Sequence, residues 1–419
     1  MTLTDGNSQP RIAMVVYSYY PDDPRVRREA EALRQRGMHV DVICLKGKHE
    51  LLTDTSNGVN VFRINMGRKR GGKSTYVFEY FKFLVLSLLK LGALHWKKNY
   101  QVVHVHNMPD VLVFASIVPK LSGASIVLDL HDPMPEVYMA KYNIPSSHAI
   151  IRLLRLLERV CIIYADKVLT PNIAFRDLFI DRGCPKDKIH VVMNSPQETV
   201  FDVNPDEIEP HVNITRDTFI LMFHGTIVER HGLDTALEAI SRLRDRIPNI
   251  LFKVYGDGDA FVETFHGAIK RMNLENIVTH EGRVSLEVIA ETIRTVHVGI
   301  IPNKRSPFTE INFPTRIFEY LCLGKPVVVP NTRGIRDYFN AESIFFFEPG
   351  NSESLANVLW DIYSDPGKSL NILENGISVY KKHCWKYQKE DLVNIVNGLL
   401  GRVDNSGTNR SHNNMRATQ

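Results

Sequence analysis

Four loops in this 419-residue sequence carry residue types suited to holding phosphates and sugars. Phe223-His224-Gly225-Thr226 follows a short apolar run, and Glu229-Arg230-His231-Gly232 leads into the next helical stretch. Glycines there admit a close backbone approach to a phosphate, a helix N-terminus favours negative charge, and Arg230 can fork onto a diphosphate. Tyr255-Gly256-Asp257-Gly258-Asp259 is first of all a tight turn. Its place after a strand also makes Gly256, Asp257 and Gly258 a wall of the same site. His280-Glu281-Gly282-Arg283 stands in the corresponding place after the following strand. In Phe313-Pro314-Thr315-Arg316-Ile317-Phe318-Glu319-Tyr320, Pro314 and Thr315 begin a helix with free N–H groups. Glu319 comes one turn later among apolar neighbours, where a carboxylate can accept hydrogen bonds from a vicinal diol such as a ribose. The bland alternative is a solvated Glu on a helix.

These loops need strands and helices to position them. Short apolar runs at Arg11–Tyr17, His39–Leu45, Val102–His106, Ser125–Leu130, Lys167–Thr170 and His190–Met193 alternate with helical stretches. Asp22-Asp23-Pro24 reads as a helix start, with Val26, Ala30 and Leu33 at helical spacing and Gly37 as the stop. A proline-bearing, acidic stretch around residues 194–217 interrupts the pattern, which then restarts with strands at Phe219–Phe223, Leu251–Tyr255, Ile277–His280, His297–Ile301 and Pro326–Val329. Such alternation means parallel sheets covered on both faces, and such sheets bind ligands at the carboxyl ends of their strands.

A chain of this length suits two domains. Its five cysteines stand singly, without metal-ligand spacing, so neither a disulfide framework nor a zinc site is expected and a reducing compartment fits. Met1 to Pro10 lacks the apolar core of a signal peptide, and the expectation is a cytoplasmic protein. A net charge of +4 gives no case for nucleic-acid binding.

The succession Phe-His-Gly-Thr, Arg-His-Gly-Leu-Asp, Tyr-Gly-Asp-Gly, Glu-Gly-Arg-Val, Pro-Thr-Arg-Ile-Phe-Glu-Tyr and Gly-Lys-Pro-Val-Val resembles the group 1 (family 4) glycosyltransferases, from about Arg11 to Leu400. The resemblance implies the α/β GT-B fold: two Rossmann-like, doubly wound domains facing a cleft, the C-terminal helix crossing back to the first. The first domain would run over 1–195, a linker over 196–215, the nucleotide-sugar domain over 216–385, the returning helix over 386–402 and a disordered tail over 403–419. It implies a retaining, metal-independent transferase without cofactor, moving sugar from a nucleotide-sugar donor, UDP-sugar favoured, to a glycan or lipid-linked acceptor in cell-envelope or exopolysaccharide synthesis.

Carried over residue by residue, the family's ribose-binding acid falls on Glu319. The first acid of its E-x7-E pattern falls on Ile311, with Glu310 one place earlier as the substitute. The usual Arg and Lys of the phosphate site fall on Thr226 and His231, which leaves Arg230 and Arg316 as the cations. Gly225, Thr226, Gly256, Asp257, Gly258, Arg283 and Thr315 complete the donor site. The cleft histidine falls on His131, at the end of Leu128-Asp129-Leu130-His131-Asp132. A neutral imidazole there can meet the donor sugar or developing charge. Tyr20, His106 and Asp132 are the acceptor-side candidates, and His104 reads as structural. Tyr17 to Arg25 replaces the family's N-terminal glycine pair, as in a subset of related envelope-polysaccharide enzymes.

The most apolar segment, Tyr76 to Trp96, follows the basic residues Arg63, Arg68, Lys69, Arg70 and Lys73. Glu79, Lys82 and Lys90 interrupt it, and Phe83 to Leu89 falls short of the roughly 20 residues a membrane span needs. Two readings stand: a core helix with one wet edge, or a helix in an anionic membrane surface on the inner face of the cell membrane. A nucleotide-sugar 2-epimerase and a catalytically silent nucleotide-sugar-binding protein remain alternatives at this level, because sites rather than folds define function.

Overall fold

The computed structural model describes residues 9–67, 73–212, 218–258 and 260–401. Its first half runs β1 (Arg11–Tyr19), α1 (Pro24–Gln35), β2 (His39–Leu45), β3 (Thr53–Ser56), β4 (Val59–Ile64), α2 (Lys73–Lys98) and β5 (Val102–His106). It continues with α3 (Ile117–Leu121), β6 (Ser125–Asp129), α4 (Met134–Tyr142), α5 (Ala149–Tyr164), β7 (Lys167–Thr170), α6 (Ile173–Asp181), β8 (Ile189–Val191) and α7 (Glu198–Phe201). The second half runs β9 (Phe219–His224), α8 (Leu233–Leu243), β10 (Ile250–Tyr255), α9 (Phe261–Arg271), β11 (Val278–His280), α10 (Leu286–Thr295) and β12 (Val298–Ile300). It ends with α11 (Arg316–Leu321), β13 (Val327–Pro330), α12 (Arg333–Arg336), β14 (Phe345–Phe347), α13 (Ser352–Ser364), α14 (Pro366–His383) and α15 (Trp385–Leu399). The strands form an eight-stranded sheet, β3-β4-β2-β1-β5-β6-β7-β8, and a six-stranded one, β11-β10-β9-β12-β13-β14. Among the described residues, one compact unit takes the chain up to Val105, Phe114–Val127 and the segment from Lys389. The other takes His106–Val113 and Leu128–Gln388.

In the first unit β1 lies between β2 and β5, parallel to both. Ile12 to Val16 are buried on both faces, as an unbroken apolar run in a parallel sheet must be. Asp23 caps α1 by accepting from the Arg25 amide, with Pro24 in the first turn, and Gly37 follows its end at φ +79°. The antiparallel hairpin β3–β4 was not expected. It changes the meaning of Arg63, counted above with a basic stretch: this side chain is buried, pairs with Glu50 at 3.1 Å and Asp54 at 3.5 Å, and donates to Tyr20 O at 3.2 Å. Arg68, Lys69 and Arg70 lie outside the described residues, as does the tail beyond residue 401.

Helix α2 also departs from the wet-edge reading. Glu79 is buried and accepts from Tyr17 Oη at 3.1 Å, while Lys90 sits 5.4 Å over the Phe62 ring. Val77, Phe78, Phe81, Val85, Leu89 and Trp96 are its exposed large apolar residues. The apolar stripe thus faces outward and the acid inward. No described helix is long and apolar enough to cross a membrane.

In the second unit, successive residues of β9 alternate between two cores. Phe219, Leu221 and Phe223 pack with α8, α9 and α13 on one side. Met222 joins α10, α11 and α14 on the other. The chain builds outward from β9 to β10 and β11, then returns to place β12, β13 and β14 on the opposite side. The carboxyl ends of β9 and β12 therefore flank the point where the winding reverses, which is where a doubly wound sheet opens a crevice for ligand. Gly256, just past β10, has φ +136°, and a Cβ there would lie 1.9 Å from Gly225 O. We expect Gly256→Ala to lower the unfolding free energy by roughly 1–3 kcal/mol or more from backbone strain alone. Chemical denaturation checks this, and an unchanged midpoint would contradict it.

Candidate active site

The carboxyl edge of the six-stranded sheet is built from backbone first. Gly225 N donates to Tyr255 O at 2.9 Å, Gly256 N to Gly282 O at 2.7 Å, and Ile227 N to Asp257 O at 2.9 Å. The loops after β9, β10 and β11 are thereby laced together, and only glycine fits at Gly256 between them. Asp257 caps its own turn by accepting from Gly258 N at 2.8 Å. Of the expected donor-site residues, Gly225, Thr226, Gly256, Asp257 and Gly258 share this edge. Arg283 is exposed just beyond it, and Asp259 lies outside the described residues.

Helix α11 supplies the charged groups. Glu319 Oε2 lies 2.5 Å from His224 Nε2. His224 Nδ1 lies 3.0 Å from Tyr320 Oη, and Tyr320 Oη donates to Met222 O at 2.9 Å. A carbonyl only accepts, so the single phenolic proton goes to Met222 and Nδ1 must carry the hydrogen that meets Tyr320. Nε2 then faces a carboxylate oxygen, and a second proton sits between the two. One Glu319 oxygen, Oε2, is thus committed to His224. Arg316 donates from Nη1 to His224 O at 2.6 Å and lays its guanidinium 4.7 Å over the Phe223 ring. Burial pushes its pKa below the ordinary arginine value, yet arginine remains a cation.

His231 donates from Nδ1 to Thr226 O at 2.6 Å, which fixes its tautomer and leaves Nε2 as a lone pair. Burial, then the charges of Arg316 and Arg230, push its pKa down to about 3. It cannot serve as the cation that the family's lysine would be. Lys304, which the sequence reading passed over, comes to the same loop: its amide donates to Arg230 O at 3.0 Å and its Nζ meets Asp234 Oδ2 at 2.5 Å.

Glu310 is not joined to this group. Its Oε2 accepts from Arg305 and its Oε1 from the Arg333 amide at 3.1 Å. Both oxygens brace a loop, which does not suit the expected contact to a transferred sugar. Thr315 stands at the N-cap of α11 without a side-chain cap bond.

A second cluster forms around the ends of β5 and β6. His106 Nδ1 is 3.0 Å from His131 Nε2, the rings stacked at 5.2 Å. Asp129 Oδ2 lies 3.3 Å from His106 Nδ1 and 3.6 Å from His131 Nε2. Asn107, also unforeseen, orients the loop: its Oδ1 accepts from His131 N at 2.9 Å, and its amide donates to Asp110 Oδ1 at 2.9 Å and Asp132 O at 2.8 Å. Burial pushes the Asp110 pKa up to about 6, against the pull of Asn107 and Arg182. His131 and His106 are buried, and Asp132 is half-buried. Tyr20 departs from its expected acceptor-side place. It is fully buried and its Oη has no hydrogen-bond partner among the described residues, so it packs rather than presenting a surface. His104 is buried, with Nε2 3.6 Å from Glu29 Oε2.

Two Rossmann-like sheets in one chain, parallel apart from the β3–β4 hairpin, define the GT-B class of fold. The Glycosyl transferase 4-like domain family matches residues 23–195, and the Glycosyl transferases group 1 family matches residues 205–379. The chain belongs to the group 1, family 4-like glycosyltransferases. It is 25% identical over 150 residues to TuaH of Bacillus subtilis (strain 168), whose name assigns it to teichuronic acid biosynthesis as a glycosyltransferase; the match covers 35% of each chain. Matched segments span 35%, 42% and 59% of the curated relatives' own lengths. Among solved structures, sucrose-phosphate synthase from Thermosynechococcus elongatus superposes with a TM-score of 0.76 at 18% identity, covering 94% of this chain and 100% of that one. Anabaena HepE in complex with UDP-glucose superposes at 0.68 with 15% identity, covering 93% and 99%.

The His231 geometry gives a direct expectation. Its ring resonances in NMR should stay those of the neutral Nδ1–H tautomer from pH 8 down to pH 5. Because its folded pKa lies below the unfolded one of about 6.5, its contribution to stability is present above that pH. It is lost progressively as pH falls from there towards 3. A midpoint near 6.5 in the folded protein would refute the assignment.

Proposed function

We propose that this protein transfers a sugar from a nucleoside-diphosphate sugar to a glycan or lipid-linked acceptor, with retention at the anomeric carbon, in cell-envelope polysaccharide synthesis. The observation that carries the reading is the Glu319–His224–Arg316 cluster at the winding reversal of the six-stranded sheet. Glu319 Oε1 accepts from the ribose diol, while His224 holds the other oxygen. Gly225, Thr226, Gly256, Asp257 and Gly258 bring backbone close to the nucleotide, and Thr315 and Arg283 flank it. Arg230 and Arg316 meet the diphosphate, so the charge on the leaving group is balanced by guanidinium groups and the reaction needs no metal ion. UDP-glucose in the HepE structure supports a uridine donor, and the TuaH name supports an envelope polysaccharide as product.

During transfer the C1–O bond to the diphosphate breaks and a bond to the acceptor oxygen forms. The acceptor proton leaves with the diphosphate. His131, oriented by Asn107 and coupled to His106 and Asp129, donates to the sugar or to the charge developing between diphosphate and acceptor. Asp132 borders the acceptor. Glu319→Ala should weaken donor binding by about 1–3 kcal/mol in isothermal titration. His131→Ala should leave that affinity nearly intact and cut turnover about a hundredfold. Folded variants that keep normal affinity and normal turnover would sink these roles. Interconversion of two nucleotide-sugars without acceptor would mark an epimerase instead.

The lipid-linked acceptor rests on α2, with Phe78, Phe81, Val85, Leu89 and Trp96 exposed along one stripe beside exposed Lys82 and Lys97. Such a stripe suits burial at the headgroup boundary, and each basic residue near an anionic surface adds about 1 kcal/mol, screened by salt. The protein should sediment with anionic vesicles, and Phe81→Ser with Trp96→Ser should release most of it without lowering the melting temperature. Equal sedimentation of parent and double variant would remove α2 from the membrane.

A further inference from the structure

Helix α5 carries a second exposed apolar stripe that neither the donor site nor α2 explains. Its inward face is Ile151, Glu158, Cys161 and Ile162. Glu158 is the helix's only acid, and it is turned in to Arg182, whose Nη1 donates to Glu158 Oε2 at 3.0 Å. On the far side Leu153, Leu156, Val160 and Ile163 are 52%, 57%, 43% and 67% exposed. At 100° per residue these four fall within about 80° of arc, opposite the inward face. They are therefore not the frayed edge of a core-facing stripe. Arg152 and Arg159 are exposed along one flank of the stripe, and Arg155 beside them reaches Glu136 at 4.0 Å. At the C-terminal end Lys188 Nζ donates to Ile163 O at 3.1 Å. The nearest acid in sequence, Asp166, follows the helix's last turn.

We propose that α5 is an interfacial helix that seats its outer stripe in an anionic lipid surface. Four aliphatic side chains in water match an acyl boundary, and arginines flanking them match lipid phosphates, the chemistry of a helix lying in a membrane plane. A second copy of this chain packed α5 on α5 would instead bring Arg152 and Arg159 against their own duplicates, with no acid on the exposed face to offset them. The inference shares with the proposed function only the presence of lipid near the acceptor. Its test uses neither donor nor acceptor, so the two can fail separately.

The full chain is floated with vesicles of phosphatidylcholine alone and with phosphatidylglycerol added. Arg152→Ser with Arg159→Ser should weaken partition into the anionic vesicles by about tenfold at low salt, a difference that closes at high salt. Leu156→Ser with Ile163→Ser should weaken it at both salt concentrations. Both double variants alter exposed residues, so unchanged thermal melting shows that the fold is kept. A single Leu156→Cys carrying an environment-sensitive fluorophore should shift to the blue on anionic vesicles, the five native cysteines being buried. Partition unchanged in both double variants, or no spectral shift, would overturn the proposal. Self-association in analytical ultracentrifugation that the same variants abolish would overturn it in favour of a second copy.

Discussion

The contact between His224 Nε2 and Glu319 Oε2 joins the last residue of β9 to the middle of α11, 95 residues later in the chain. Two further bonds reinforce it, from Arg316 to His224 O and from Tyr320 to Met222 O. Together they pull a six-residue helix down onto the first strand of the sheet. The distance between the β9 loop and the helix start is then set by side chains as much as by the sheet. An isolated helix of that length has almost no stability of its own. Its position comes from Ile317, Phe318, Tyr320 and Leu321 in the core beneath and from these three bonds. A carboxylate with one oxygen already committed also differs from a solvated one, because its side chain has little rotational freedom left to lose.

Much of the fold was legible because it is local. Asp23 and Pro24 start α1 and Gly37 stops it, as their backbone preferences require. The unbroken apolar runs are strands because a parallel sheet buries both faces. The β3–β4 hairpin was legible in part and overlooked: Asn57-Gly58, both at positive φ, is a strong hairpin turn, but Thr53 to Ser56 is too polar to read as a strand. Glu319 could be singled out from its helix, whereas its partner could not. That depended on β9 lying beside β12, which no local pattern encodes. Lys304 and Asn107 were missed for the same reason. Glu310 stands one place from the expected acid, and what the sequence did not reveal is that its carboxylate is engaged by Arg305 and the Arg333 amide.

Helices α2 and α5 show why periodicity alone could not assign faces. Each is apolar on opposite sides, and in each the acid that looks like a solvent marker, Glu79 or Glu158, is turned inward to a tyrosine or an arginine. A buried carboxylate needs such a partner, and burial does push the Glu158 pKa up to about 8 even with Arg182 beside it. The sequence rule that charge marks the wet side fails wherever a partner is available inside.

Arg36, at the C-terminal end of α1, forms an ion pair with Glu390 of α15, a sequence separation of 354 residues. Both belong to the first unit, which also takes in every described residue from Lys389 onward. A ribosome makes that segment only after the second unit. The first unit must therefore wait, part-assembled and with its α15 surface uncovered, while the entire second unit is made. Loop closure over so long a span is slow and leaves apolar surface open to association meanwhile. Removing the segment from Lys389 onward should then injure the unit whose other residues were synthesised first.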